Sequence, residues 1–233
     1  MKLGILFSGG KDSVLALHLI AEKKQYQTTC LITMNSKNKE SYMFHTPNID
    51  ITELQAQTIG LPLISVDTEG QKEKELLDLE KAILQAKSHY NIEGIVTGAV
   101  ESTYQTSRIQ KICDKLQLEC LNPLWKYNQK ALIEKIVEQQ FKVIISGVFA
   151  YPLDRTWLGK TLNQNTIKQL LELSEKYGIS IIGEGGEIET TVLDAPMFKQ
   201  KIKITDFELK WEHTSGTYII KKAKLTQKQT TTV

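Results

Sequence analysis

Leu3-Gly4-Ile5-Leu6-Phe7 is a short apolar run, cut off by Ser8-Gly9-Gly10-Lys11-Asp12-Ser13 and followed at once by Val14-Leu15-Ala16-Leu17. An apolar stretch of strand length, a glycine turn and a helical run predict a buried strand joined to a helix by a tight loop. Glycines let the backbone approach a ligand closely, and the first turn of a helix carries N–H groups without intrahelical partners and a partial positive charge. An anion is the expected occupant of such a loop. Lys11 adds a full positive charge, and Ser8 and Ser13 add hydroxyl donors within the same few residues, so phosphate is the chemistry to expect.

The Walker A loop needs four residues between its first Gly and the Gly-Lys-Ser/Thr, and the adjacent glycines here exclude it. Ser8 to Ser13 instead resembles the signature of the PP-loop ATP pyrophosphatases, which hold the pyrophosphate part of ATP while the α-phosphate is attacked. A glycine-rich strand–helix connection with no ligand is the plainer alternative, and a six-residue match in the right context weighs against it.

With 233 residues the chain can bury a real core, as one large α/β domain or as a domain with a smaller companion. It has no apolar run long enough to cross a bilayer, and Met1-Lys2-Leu3-Gly4 leads into the first strand without a signal-peptide cleavage pattern, so a cytoplasmic location is expected. The net charge of +2, from 29 basic and 27 acidic residues, gives no argument for a broad nucleic-acid surface and leaves a local basic patch open. Cys30, Cys113 and Cys120 are odd in number and lack CxxC spacing, which suggests neither a disulfide framework nor a zinc ribbon and makes buried free thiols the default expectation. Cys113 and Cys120 stay of interest because some PP-loop tRNA-thiolating enzymes work through a cysteine pair.

Thr28 to Met34 is β-branched and apolar and predicts a second strand, whose end places Thr33, Met34 and Asn35 where open parallel sheets bind a base or ribose. His45, just ahead of Thr46-Pro47, falls on a loop near that ligand edge; substrate or phosphate binding and a surface or capping role are equally open to it. A helix over 51–59, a strand over 60–66 and a helix over 73–90 follow, the charged stretch from Glu69 to Glu80 reading as a solvated helix face. Gly94 to Val100 reads as a fourth strand ending in small residues such as Gly98, and Glu101 to Arg108 starts the next helix with hydroxyl caps. Arg108, about two turns in, is at a position that usually holds a surface charge, but it is also able to reach a phosphate or carboxylate as a bidentate donor.

Asn122-Pro123-Leu124-Trp125 breaks the pattern and sets a boundary between residues 1–125, an ATP-binding domain, and 126–233, a substrate-binding domain. Beyond it come a helix over 130–139, a buried strand over 142–148 and a helix over 166–177. Gly183-Glu184-Gly185-Gly186-Glu187-Ile188-Glu189-Thr190 packs three glycines and three acids into eight residues, suiting a metal held on phosphates or a cationic or amine-bearing substrate; a charged hairpin turn is the plainer alternative. A hairpin of Lys201–Trp211 and Thr217–Leu225 around Ser215-Gly216 closes the chain, with a frayed end from Thr226.

Taken together, these blocks resemble the diphthine–ammonia ligase (diphthamide synthase) family of PP-loop ATP pyrophosphatases. The likeness runs through Ser8–Ser13, Met43–Asn48, Gly98-Ala99-Val100 with Tyr104–Arg108, Pro123–Trp125, Leu153-Asp154 with Leu158-Gly159, and Gly183–Thr190 with Leu193–Pro196; Ile188 stands where the family usually has an aromatic. The resemblance implies an α/β fold, a Rossmann-like PP-loop type parallel sheet flanked by helices with a smaller C-terminal α+β domain. It implies ATP and Mg²⁺ as cofactors, and as partners ammonia and elongation factor 2 bearing diphthine, the acceptor being amidated through an acyl-adenylate with release of AMP and pyrophosphate.

On this reading Ser8, Gly9, Gly10, Lys11, Asp12 and Ser13, with Thr33, Met34 and Gly98, hold the nucleotide. Lys11, Asp12 and Arg108 serve catalysis, and Asp12 holds the metal. His45, Tyr104, Glu184, Glu187 and Glu189 meet the acceptor. A homodimer is compatible with this, and no membrane partner is expected. The alternatives are a PP-loop enzyme adenylating another carboxylate or a tRNA base, which alone would bring in nucleic acid, and a non-enzymatic nucleotide sensor of the universal-stress type.

Overall fold

The computed structural model describes residues 1–38, 43–44 and 47–228. The chain forms two compact units, Met1–Thr52 with Leu61–Tyr127, and Glu53–Gly60 with Asn128–Val233.

The first unit alternates strand and helix: β1 (Lys2–Leu6), α1 (Lys11–Ala21), β2 (Gln27–Ser36), the start of α2 (Ile51–Ile59), β3 (Leu63–Thr68), α3 (Glu75–Tyr90), β4 (Gly94–Val96), α4 (Thr103–Leu116) and β5 (Glu119–Leu121). The strands form one five-stranded sheet in the order β3-β2-β1-β4-β5, with every neighbouring pair parallel. A parallel sheet needs helical crossovers, which cover its faces and make its strands apolar throughout. Leu3, Ile5, Leu31, Ile95 and Val96 are accordingly buried, and α3 and α4 contribute Leu79, Ile83, Ile109 and Ile112 to the core. The order reverses at β1, so the carboxyl ends of β1 and β4 flank the crevice where doubly wound sheets bind ligands.

β4 is shorter than the strand expected over 94–100. Thr97 N–H still donates to Leu121 O at 3.0 Å, but the Thr97 hydroxyl then accepts from Ala99 N–H at 3.2 Å and turns the chain out of the sheet. Ser102 caps α4, its Oγ accepting from Gln105 N–H at 3.3 Å. Ser102→Ala is expected to cost about 1 kcal/mol, read as a shifted urea midpoint at unchanged m.

The second unit holds α5 (Gln129–Glu138), β6 (Lys142–Val148), α6 (Gln164–Tyr177), β7 (Ile188–Asp194), β8 (Gln200–Glu212) and β9 (Ser215–Gln227), with a four-stranded sheet in the order β7-β6-β9-β8 whose neighbours run antiparallel wherever β6 or β9 pairs. The end of α2 belongs here: Gln55 Nε2 donates to Val192 O at 2.8 Å, and Thr58 Oγ1 donates to Gln200 O at 2.6 Å.

The closing hairpin turns at His213-Thr214, with His213 at φ 52°, while Ser215 and Gly216 lie inside β9. Gly216 is needed for close approach, since a Cβ there would stand 2.5 Å from Lys210 O. β9 also takes in Thr226 and Gln227, where a frayed end is expected from the sequence. β7 has no counterpart in that reading. Its residues 188–190 follow the glycines too closely for a period to be read, so the glycine-acid block reads in sequence as one loop.

Candidate functional site

The loop after β1 has the geometry its composition calls for. Gly9 takes φ 76°, in the left-handed region that glycine adopts without steric cost, and Gly10 then begins α1 with no side chain capping its N-terminus. Ser13 Oγ donates to Gly10 O at 3.0 Å, and the Ser8 and Ser13 hydroxyls lie 3.3 Å apart, so both serines fold over the loop. Lys11 is 3% exposed and its ammonium pairs with Asp12 Oδ2 at 2.8 Å. Asp12 Oδ1 is buried without a hydrogen-bond partner.

That oxygen fits the metal expected of this loop. Among the described residues no three His, Cys, Asp or Glu side chains gather into a metal cage. Mg²⁺ characteristically takes only one or two carboxylates and completes its shell with phosphate and water, so a single orphaned Asp12 oxygen beside a phosphate loop is the right donor set.

Gly98 closes the loop from the β4 side. A Cβ built on it would stand 2.8 Å from Ser13 N, 2.9 Å from Asp12 C and 3.0 Å from Ser13 Cα, all backbone atoms that cannot swing away. Gly98 therefore sets how closely the β4 loop approaches the first turn of α1. Thr97 and Asn122 fix that loop, the Thr97 hydroxyl donating to Asn122 Oδ1 at 2.5 Å. The sequence marks Asn122 only as part of a boundary and Thr97 only as part of a strand, because their pairing spans 25 residues.

Thr33 and Met34, expected at the nucleotide, have their side chains engaged within the protein. Thr33 Oγ1 donates to Phe7 O at 2.6 Å and so ties β2 to the start of the loop, while Met34 is 5% exposed and packs in the core. His45 lies outside the described residues.

Tyr104 and Arg108 meet each other on α4: the guanidinium carbon sits 3.5 Å from the Tyr104 ring centroid, and Glu73 accepts from Arg108 Nη2 at 2.6 Å. The Arg108 guanidinium holds the Glu73 carboxyl below its ordinary range.

The acidic glycine loop lies in the second unit. Gly183, at φ 81°, faces Ile188 O at a distance that leaves no room for a Cβ, and Gly186 N–H closes the turn on Gly183 O at 2.9 Å. Glu187 turns back on its own loop, Oε1 accepting from Ser180 N–H at 2.9 Å, with Oε2 buried and without a hydrogen bond. Glu184 N–H donates to Ser180 Oγ at 3.1 Å, and Glu189 stands opposite Gly147 in the β6–β7 register. The three acids thus occupy one short stretch, but Glu187 is partly committed to holding its shape.

The three cysteines are free thiols, Cys30 and Cys113 buried and Cys120 half-buried. Burial pushes Cys30 up to about 11, and a hydrogen bond to Cys120, reinforced by burial, raises Cys113. Cys30 and Cys113 are therefore poor nucleophiles in their own right, whereas the hydrogen bond with Cys113, joined by one from Asn122, lowers Cys120.

Comparison with known proteins matches two family models in sequence: Diphthamide synthase N-terminal domain over residues 1–120 and Diphthamide synthase C-terminal domain over residues 128–226. Diphthine–ammonia ligase of Mus musculus is 36% identical over 229 residues, covering 89% of this chain and 84% of that protein. The Homo sapiens protein of the same name is 35% identical over 230 residues, covering 90% and 85%. The Schizosaccharomyces pombe protein is 34% identical over 96% of this chain, which spans 39% of its length. Among solved structures, the predicted subunit of a tRNA methyltransferase from Methanocaldococcus jannaschii aligns over 84% of this chain and 98% of its own with 19% identity and a TM-score of 0.45, too distant to inform fold or activity.

Proposed function

Because the chain belongs to the diphthamide synthase family, we propose that it is an ATP-dependent, AMP-forming amide ligase that converts diphthine on elongation factor 2 to diphthamide. The observation that carries the reading is the loop from Ser8 to Ser13, with its uncapped helix start, its buried lysine and an aspartate oxygen left without a partner.

The chemistry follows from those groups. The N-terminus of α1 and the two serine hydroxyls bind the β- and γ-phosphates, and Lys11 offsets the charge that grows on pyrophosphate as the bond between the α- and β-phosphates breaks. Asp12 Oδ1 would hold Mg²⁺, which when bound screens the phosphates from the incoming anion. The acceptor carboxylate oxygen attacks the α-phosphorus and pyrophosphate leaves. Ammonia then attacks the acyl carbon, and AMP leaves with the former carboxylate oxygen. Arg108 supports the meeting of the two anions. Glu184, Glu187 and Glu189 attract the trimethylammonium group of the acceptor.

The test incubates the full chain with ATP, Mg²⁺, ammonium and diphthine-bearing elongation factor 2. AMP should accumulate, and the modified histidine should change mass as OH is replaced by NH₂. AMP formed without that change rejects diphthine as the acceptor and keeps the adenylating chemistry. Glu187→Gln should lower kcat/KM for the acceptor about tenfold, the equivalent of roughly 1.4 kcal/mol of lost attraction. An unaltered value would remove Glu187 from the acceptor site.

A further inference from the structure

Glu73 reads in sequence as one charge among many on a solvated helix face. In the structure it stands just ahead of α3 at φ 65°, a backbone region that a glutamate rarely occupies. Its Oε1 accepts three hydrogen bonds, from Arg108 Nη2 at 2.6 Å, Arg108 Nε at 3.1 Å and the Tyr104 hydroxyl at 3.3 Å. The guanidinium lies over the Tyr104 ring at 3.5 Å, and Lys72 Nζ stands 5.7 Å from the same ring.

These contacts use one edge and one face of the guanidinium. An arginine on a helix surface ordinarily samples many rotamers, whereas this side chain is held on two sides and is only 26% exposed. Among the described residues Nη1 makes no hydrogen bond, so the end of the fork opposite Nε is open to another acceptor.

We propose that Glu73 is a positioning residue, which pins Arg108 flat on Tyr104 so that the remaining edge of its guanidinium is presented, already aligned, to an anionic oxygen of a substrate. The inference rests on the reading of Arg108 as an anion-binding residue of the ligase. A guanidinium fixed in advance loses less freedom when it binds, which favours the bound state without adding a contact. The anionic oxygen belongs either to a phosphoryl group or to the acceptor carboxylate, and kinetics separate the two.

The experiment measures kcat and the KM for ATP and for the diphthine-bearing acceptor in wild type, Glu73→Ala, Glu73→Gln, Arg108→Ala and the Glu73→Ala/Arg108→Ala pair, with thermal unfolding of each. Glu73→Ala should raise one KM about tenfold, within the coupling range of contacting residues, and Glu73→Gln, which keeps an acceptor oxygen, should recover part of it. The double variant should be no worse than Arg108→Ala alone. Unfolding midpoints should hold, because an ion pair whose carboxylate is exposed contributes little to stability. A raised KM for ATP identifies the oxygen as phosphoryl, and a raised KM for the acceptor identifies it as carboxylate. Unaltered KM values in Glu73→Ala beside an impaired Arg108→Ala, or additive losses in the double variant, overturn the positioning role alone. Wild-type kinetics in Arg108→Ala overturn the role of Arg108 and that of Glu73 with it. No amide from the wild-type chain overturns the ligase reading and this proposal together.

Discussion

Lys11→Met is expected to lower kcat for ATP-dependent AMP formation by roughly two to three orders of magnitude, the loss typical of removing one preorganised electrostatic partner of the transition state. Lys11 is 3% exposed, so its charge acts in a site with little water to screen it. Methionine keeps most of the apolar stem and removes only the charge and its donors. The effect should fall on kcat more than on the KM for ATP, because the helix N-terminus and the serines still bind phosphate. Stability should fall as well. Asp12 Oδ2 loses its partner at 2.8 Å, next to an Oδ1 already buried without one. The Asp12 side chain is 29% exposed, so water takes over part of the lost bond and the cost should fall toward the lower end of the roughly 1–3 kcal/mol of an unpaired buried acceptor. Pyrophosphate release measured at saturating ATP, with far-UV circular dichroism to establish folding, decides the matter. A variant within tenfold of wild type in kcat would remove Lys11 from catalysis.

Gly98→Ala should be nearly as damaging by a different route. The added methyl meets the backbone of Asp12 and Ser13 at 2.8 to 3.0 Å, closer than real Cβ contacts run. Neither neighbour is a flexible side-chain tip, so the β4 loop and the start of α1 must separate. Overpacking of this kind costs roughly 1–3 kcal/mol. Since a displacement of about 1 Å at a reacting centre can lower a rate a hundredfold, activity should suffer more than stability. Isothermal titration of ATP and a urea melt on the same sample separate the two effects. Unchanged ATP affinity with unchanged stability would mean that the β4 loop yields freely and that its approach to α1 does not shape the site.

The strand–loop–helix at the start of the chain was legible because everything that defines it is local. Six consecutive residues carry the turn, the charge and the hydroxyls, and the flanking apolar runs fix the element types. The parallel sheet was legible for the same reason, from buried strands alternating with amphipathic helices. Misread stretches are those where one specific contact overrides the periodic pattern. Thr97 looks like strand, yet its hydroxyl takes Ala99 N–H and ends β4. Ser215-Gly216 looks like a turn, yet Gly216 serves a close approach inside β9. A tie such as that from the Thr33 hydroxyl to Phe7, 26 residues away, has no local signal at all.

By itself, then, the sequence determined the class of chemistry, an anion held by a glycine loop at a helix start, because that chemistry needs only neighbours along the chain. Tertiary structure decided how the loop is closed and supported: Gly98 against Ser13, Glu73 on Arg108 across 35 residues, and Gln55 on Val192 across 137. Periodicity encodes which face of an element is buried but not which partner it meets, and those partners are chosen only when the sheet assembles.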